Sequence, residues 1–335
     1  MNVEALPLKV GVRSRSLSRR TLGAFAALLL PAPAIHAQPI GGGRPLRIIV
    51  PYGPGSMNDV LARMLSNGLQ ARLGNPVVVE NRTGASGTIA MNHVARSAPD
   101  GLTLALAASS DLTSIQFLQS NLGYNITTSF APVIMISVAH NCLATPARVP
   151  ARTLAELVAW LRANPGQTFA SSAIGSNAHL GMEKFQRVAD FRAEHILYRT
   201  GALQALITGE VSMFLQHELA LRPHVEAGSL RLYAVASPQR LAHLPNLPTF
   251  VEEGFPSMIF QSWFGVVAPA DTPAPIITQL NSEMNMILAT SEGREALLTR
   301  GVEAVGGPPE VLAQRIAADT IRYGDVIRDA NIQPQ

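Results

Sequence analysis

Few residues in this 335-residue chain have types and spacings that could do chemistry. Ser171, Ser172 and Ser176 lie close to His179, which could set a nucleophile beside a general base. Such catalysis also needs a group that orients the histidine, and no acid stands nearby in the sequence to do so. There is no G-x-S-x-G elbow, no P-loop and no G-x-G-x-x-G after a strand. His93, His140, His179, His195, His217, His224 and His243 lack the paired spacing with cysteine or carboxylates that zinc sites show. His217 beside Glu218 reads as a solvated turn. The expectation is no catalytic residue, no metal and no cofactor.

Two loops carry more. "YGPGSMND" follows the apolar run "LRIIV" (46–50), and "SSAIGSNAH" follows "TF" and leads into a helix. Each combines glycine, which permits close backbone approach, with hydroxyl or amide side chains. At the C-terminal ends of strands in an open α/β sheet, such loops offer helix N–H groups to an anion without needing Lys or Arg. Ordinary strand–helix turns have the same composition, so local chemistry leaves both readings open. "GASGT" (84–88) lacks fingerprint spacing and reads as a turn.

The elements that must position these loops alternate almost throughout. "LRIIV" is a short branched run suited to a doubly covered strand. Val60, Leu61, Met64, Leu65, Leu69 and Leu73 form one helical stripe, stopped by Gly74. Strands are expected at 76–80, 102–108 and 131–137, with a helix over 88–97 between the first two. Thr153 and Glu156 form a capping box that opens the next helix. Further strands follow in "TFASS", "EHILY", "VSMFL" and "LRLYAVAS", then "IFQSWFGVVAP" (259–269) and helical patterns around 275–300 and 308–329. This alternation predicts parallel sheets with helices on both faces. The expected layout is two α/β lobes: 38–140 with 260–335 as the first, and 141–259 as the second. The chain would cross between them near 138–150 and 255–262.

The first 37 residues read as an export signal. Arg13, Arg15, Arg19 and Arg20 precede an apolar run from Leu22 to Leu30, with cleavage expected after about Ala37. Ser18-Arg19-Arg20-Thr21-Leu22 also fits a twin-arginine signal, so Sec and twin-arginine export both remain open. These residues carry +4 of the chain's net charge of +3, which leaves −1 for the remainder. A nucleic-acid partner loses its support accordingly. Cys142 is the single cysteine and can form no internal disulfide. A soluble periplasmic protein is expected, since no later segment has the ~20 apolar residues of a span.

Long stretches of the chain resemble the Bug family, the extracytoplasmic solute receptors of tripartite tricarboxylate transporters. They run from "PLRIIVPYGPGSMNDVLARMLSNGLQARLGNPVVVENRTGASGT" through "LAELVAWLRANPGQTFASSAIGSNAHLGMEKF" and "SWFGVVAPADTPAPIITQLN" to "GVEAVGGPPEVLAQRIAADTIRYGDVIRDANI". The resemblance implies two Rossmann-like lobes with a hinge, the Venus-flytrap architecture of periplasmic binding proteins. It implies a small organic carboxylate as ligand, delivered to a separate membrane permease. A monomer suits that role. A ligand sensor feeding a membrane signalling protein would need the same cleft, and an exported hydrolase is the remote third reading.

The family's first loop falls on Pro51, Tyr52, Gly53, Pro54, Gly55, Ser56, Met57, Asn58 and Asp59, with Ser56 in place of a second glycine. Tyr52, Gly53, Pro54, Gly55, Ser56 and Asn58 are its candidate ligand contacts, and Asp59 its helix cap or brace. Ser109 and Ser110 match the small polar loop after the third strand. The second loop contributes Ser172, Gly175, Ser176, Asn177 and His179. The third loop departs most: Tyr198, Arg199, Thr200 and Gly201 form a version two residues short. Ala205, Ser212 and Gln216 stand where the family usually has acids. Tyr198 and Gln216 complete the candidates. Without those acids the pocket is expected to hold no carboxylate for an ammonium group, so that amino acids bind poorly.

Overall fold

The computed structural model describes residues 39–198 and 200–334. The expected export segment, residues 1–37, lies outside them, as does Arg199 of the third loop. The chain runs β1 (Leu46–Val50), α1 (Met57–Leu73), β2 (Val77–Asn81), α2 (Thr88–Ala95), β3 (Thr103–Ala108), α3 (Ile115–Leu118) and β4 (Phe130–Ala139). It continues with β5 (Asn141–Pro146), α4 (Leu154–Ala163), β6 (Gln167–Ser171), α5 (Asn177–Val188), β7 (Ala193–Leu197), α6 (Ala202–Thr208), β8 (Met213–His217), α7 (Glu218–Glu226) and β9 (Leu230–Val235). It ends with β10 (Ser262–Pro269), α8 (Ala274–Ala289), α9 (Ser291–Leu298), β11 (Val302–Ala304) and α10 (Pro309–Asp329).

The strands form two sheets, β11-β4-β10-β3-β1-β2 and β7-β6-β8-β5-β9. β1 lies parallel to β2 and β3, and β6 parallel to β7 and β8, as βα alternation requires. The expectation of wholly parallel sheets fails at the strands next to the crossings. β10 runs antiparallel to both β3 and β4, and β5 antiparallel to β8 and β9. The cause is connectivity. β4 and β5 are separated only by His140, so the chain enters the second sheet without a crossover helix to reverse it, and β10 returns the same way.

Each sheet has its own apolar core. Leu61, Leu65, Leu69 and Leu73 of α1 cover the first sheet, packing with Ile48, Val50, Leu104 and Leu106. Phe169, Phe185, Phe250 and Leu215 fill the second. The stripe on α1 works because four leucines at helical spacing meet a face of branched strand residues. Gly74 in the left-handed conformation (φ 71) ends the helix and returns its N–H to the Gln70 carbonyl.

α10 belongs to neither half alone. Leu312 and Ile316 pack on the first sheet, whereas Tyr323, Val326 and Ile327 are buried in the second core. Midway along it, Asp319 is fully buried and accepts from Arg315, Arg322 and the Trp263 indole N–H. Arg322 also donates to the Ile259 carbonyl and Arg315 to Gln261. The returning strand is thereby held against the helix.

Candidate functional site

The two glycine-serine loops have the same hydrogen-bonding pattern. In the first, Gly55 has φ 82 and donates its N–H to Asp59 Oδ2 at 2.9 Å. Ser56 N–H closes a turn onto the Gly53 carbonyl, and Ser56 Oγ caps the Asp59 N–H at 3.3 Å. In the second, Gly175 has φ 74 and donates to His179 Nδ1 at 3.0 Å. Ser176 N–H closes onto the Ala173 carbonyl, and Ser176 Oγ caps the His179 N–H at 3.3 Å. The motif is Gly-Ser-x-x-acceptor, and each copy opens a helix: α1 in one half, α5 in the other. An N-cap serine satisfies an N–H that the helix cannot. The left-handed glycine lets the preceding chain turn in beneath that cap.

The two acceptors differ electrically. Asp59 also receives Arg63 and Asn81, and these donors hold its carboxyl down near pKa 2, with the Arg63 hydrogen bond the largest influence. His179 is buried and lies over the His195 ring at 4.0 Å, with Phe169 beyond. Burial holds it neutral, with its pKa pushed down to about 3. Its Nδ1 must be bare to accept from Gly175, so Nε2 carries the proton, 3.7 Å from Glu183.

Between the halves is a cavity of about 190 Å³ lined by Tyr52, Ser86, Ser110, Asp111, Ser114, Ile115, Leu118, Gln119 and the stretch Ala173–Ser176. It is smaller than the ~300–1,000 Å³ of sites for drug-sized ligands, a size suited to a small metabolite. The halves meet at its edges. Ser114 Oγ donates to the Gly175 carbonyl at 3.1 Å. Asn177 Nδ2 reaches Ser109 Oγ, Ser262 Oγ and the Gln261 carbonyl. Gly175 also presses on Leu118, whose Cδ1 would lie 2.0 Å from a Cβ at that position. A larger depression of about 770 Å³ lies on the first half among Arg44, Arg47, Arg82 and Arg96. Asp100 and Glu80 already pair with three of those arginines, and the second half contributes nothing to its wall.

Of the sequence candidates, the cavity gathers Tyr52, Ser110, Gly175 and Ser176. Gly53, Pro54, Gly55 and Ser56 shape the turn beside it. Asn58 is buried and ties α1 to the Leu106 carbonyl. Ser109 and Asn177 join the halves, and His179 braces Gly175. Ser172, Tyr198 and Gln216 stand outside the lining. Ser172 is exposed. The Tyr198 hydroxyl donates to Glu210, and Gln216 turns its side-chain carbonyl onto the His217 amide. Gln216 lies on β8, and Tyr198 follows the end of β7, its N–H bonded to the Ser171 carbonyl.

Sequence reasoning missed Ser86, Asp111, Ser114 and Gln119. Ser86 sits in "GASGT", where Gly84, Ala85, Ser86 and Gly87 all have positive φ. Two consecutive non-glycine residues in that region are a strained arrangement of the kind that gathers at binding sites. Asp111 overturns the expectation that no carboxylate faces the pocket. It is 2% exposed, accepts the Tyr52 hydroxyl at 2.6 Å and the Ala108 N–H at 2.8 Å, and has its pKa pushed up to about 6 by burial.

The serine–histidine pair that forms is Ser171 with His195, at 2.7 Å. Ser171 is fully buried and also donates to the Ala173 carbonyl, so its hydroxyl is a structural tie closed to substrate.

A sequence model described as "Tripartite tricarboxylate transporter family receptor" matches residues 61–332. Protein BugT of Bordetella pertussis is 36% identical over 290 residues, covering 85% of this chain and 89% of BugT. Among solved structures, R. palustris Rpa4515 with adipate is 32% identical with a TM-score of 0.75, covering 87% of this chain and 99% of that one. MatC from Rhodopseudomonas palustris with bound malate is 28% identical with a TM-score of 0.71, covering 85% and 99%. These relatives are solute-binding receptors and not enzymes.

Proposed function

From the premise that this chain belongs to the family of tripartite tricarboxylate transporter receptors, we propose that it captures a small organic carboxylate between its two lobes and delivers it to a membrane transporter of that type. Such a receptor works outside the cytoplasmic membrane, in agreement with the export signal expected in residues 1–37. The observation that carries the ligand class is the cavity wall. It contains the Gly175–Ser176 turn at the start of α5, a helix with no acid in its first turn to cancel its dipole. The Gly175, Ser176 and His179 N–H groups are used within the turn itself. An anion there would be held by hydroxyls and by the first N–H groups of α5, which the helix leaves without intrahelical partners, and no cationic side chain is needed. Adipate and malate in the structures of two relatives are ligands of that class.

The reading is tested by thermal-shift measurements on the purified protein with adipate, malate, citrate and their amides. A carboxylate at 100 times its Kd should add about 2.7 kcal/mol of stability and raise Tm by several degrees. The amides should give no shift. Stabilisation by the neutral analogues alone would overturn the proposal.

A further inference from the structure

The lining of the cavity has one charged side chain, and its sign is wrong for a plain carboxylate ligand. Asp111 is buried, and its two hydrogen-bond partners, the Tyr52 hydroxyl and the Ala108 N–H, are both neutral donors. Among the described residues no Lys, Arg or His forms an ion pair with it, and none lines the cavity. A carboxylate offers about four acceptor positions, so two of its positions remain unfilled. Elsewhere in this protein the most buried carboxylates are matched by cations: Asp319 by two arginines, Asp59 by Arg63, and Glu218 by Arg222. A buried charge without a counter-charge is costly unless the group takes up a proton or something brings a counter-charge.

The cavity is therefore polar end to end. On the first lobe it presents Asp111. On the second it presents the Gly175–Ser176 turn and the positive end of α5, with the apolar side chains of Ile115, Leu118 and Ile174 also in the wall. A ligand carrying only carboxylates would place one anion well and could meet Asp111 only by repulsion or with that carboxyl protonated.

Building on the carboxylate reading above, we propose that Asp111 is the receptor for a protonated amino group, and that the ligand is a small amino acid. Its carboxylate sits at the α5 turn and its ammonium against Asp111. This reverses the expectation drawn from the missing acids at Ala205, Ser212 and Gln216. The acid comes from the other lobe.

The experiment is calorimetric titration with succinate, malate and aspartate, and with glutarate and glutamate, against the wild-type protein, Asp111→Asn and Tyr52→Phe. In the wild type the ammonium should strengthen binding about tenfold or more over the unsubstituted acid, the scale of a hydrogen bond between charged groups. Asp111→Asn should abolish that advantage and tighten the unsubstituted acids. Tyr52→Phe keeps the charge and should keep the preference for the amino acid, which separates a charge role from mere bracing of the tyrosine.

Circular dichroism and a ligand-free melt establish that each variant is folded. If Asp111→Asn does not fold, the wild-type comparison and Tyr52→Phe still decide. The inference is overturned if succinate or malate binds the wild type as tightly as aspartate, with glutarate matching glutamate. It is equally overturned if Asp111→Asn leaves the amino-acid preference intact, or if Tyr52→Phe removes it. Carboxylate binding would survive each of those results. Binding of no acid to any of the three proteins would sink the carboxylate reading itself, and this inference with it.

Discussion

The loops Gly55–Asp59 and Gly175–His179 are the same device built in two lobes, and they differ in one residue type that matters. Both use a left-handed glycine, a capping serine and an acceptor three residues beyond that serine. In the first lobe the acceptor is a carboxylate tied to Arg63; in the second it is an imidazole kept neutral by burial. Backbone geometry of this kind needs only an acceptor of the right reach. The charge of that acceptor is then free to tune the helix end above it. A carboxylate in the first turn cancels part of the helix dipole, whereas a neutral ring leaves it for a ligand. The two turns are alike in shape and unlike in field.

The comparison breaks most visibly at the glycines. Gly55→Ala meets open space and suffers only its positive φ, so it should lose about 1 kcal/mol. Gly175→Ala adds a collision with Leu118 across the cleft to the same strain, for a total of about 3 kcal/mol. Urea melts of the two variants measure the difference, and equal losses would mean that the lobes do not press together there.

Acid should separate the acceptors next. His179 has a folded pKa below its unfolded value of ~6.5, so the unfolded chain binds more protons and stability falls as the pH drops from ~6.5 toward 3. Asp59 is also depressed, but its contribution is present above ~3.8 and is lost only as the pH falls through about 2. Between pH 6.5 and 5 the second cap should lose about 2 kcal/mol while the first stays intact. His179→Asn keeps an acceptor without the titration, so it should flatten the slope of Tm against pH in that window. His195 and His217, whose pKa values burial also lowers, would retain part of it. An unchanged slope would place the titration elsewhere.

The smallest effect is the most direct test of the field. His179→Asp should weaken carboxylate binding by about threefold to tenfold, and Asp59→Asn should strengthen it by about twofold, with titration calorimetry as the measure. Changes of the opposite sign would show that the helix ends do not set the polarity of the cleft.

Much of this was legible in local sequence. "GSMND" and "GSNAH" announce serine-capped helices that begin after a strand, and the leucine stripe of α1 needs nothing beyond its own spacing. The direction of β10 was not legible, because it depends on where the chain re-enters a sheet begun more than 200 residues earlier, not on the residues of the strand. Asp111 was missed for a similar reason. Its meaning comes from Tyr52, 59 positions away, and from a lobe it does not belong to. Ser86 was hidden by composition, since "GASGT" spells a turn whether or not the turn faces a cleft. Tyr198 and Gln216 were placed by analogy of position within a motif, and in this chain their side chains have found nearby partners instead.

The helix shared by the two cores has a consequence for how the molecule comes apart. Two sheets with separate cores would ordinarily melt one after the other. Here Leu312 and Ile316 serve one core and Tyr323, Val326 and Ile327 the other, with Asp319 clamped between them. Loss of either core strips α10 of half its burial and frees the clamp that holds the returning strand. The first core to open therefore takes part of the second with it, and heat sees one cooperative body where the eye sees two.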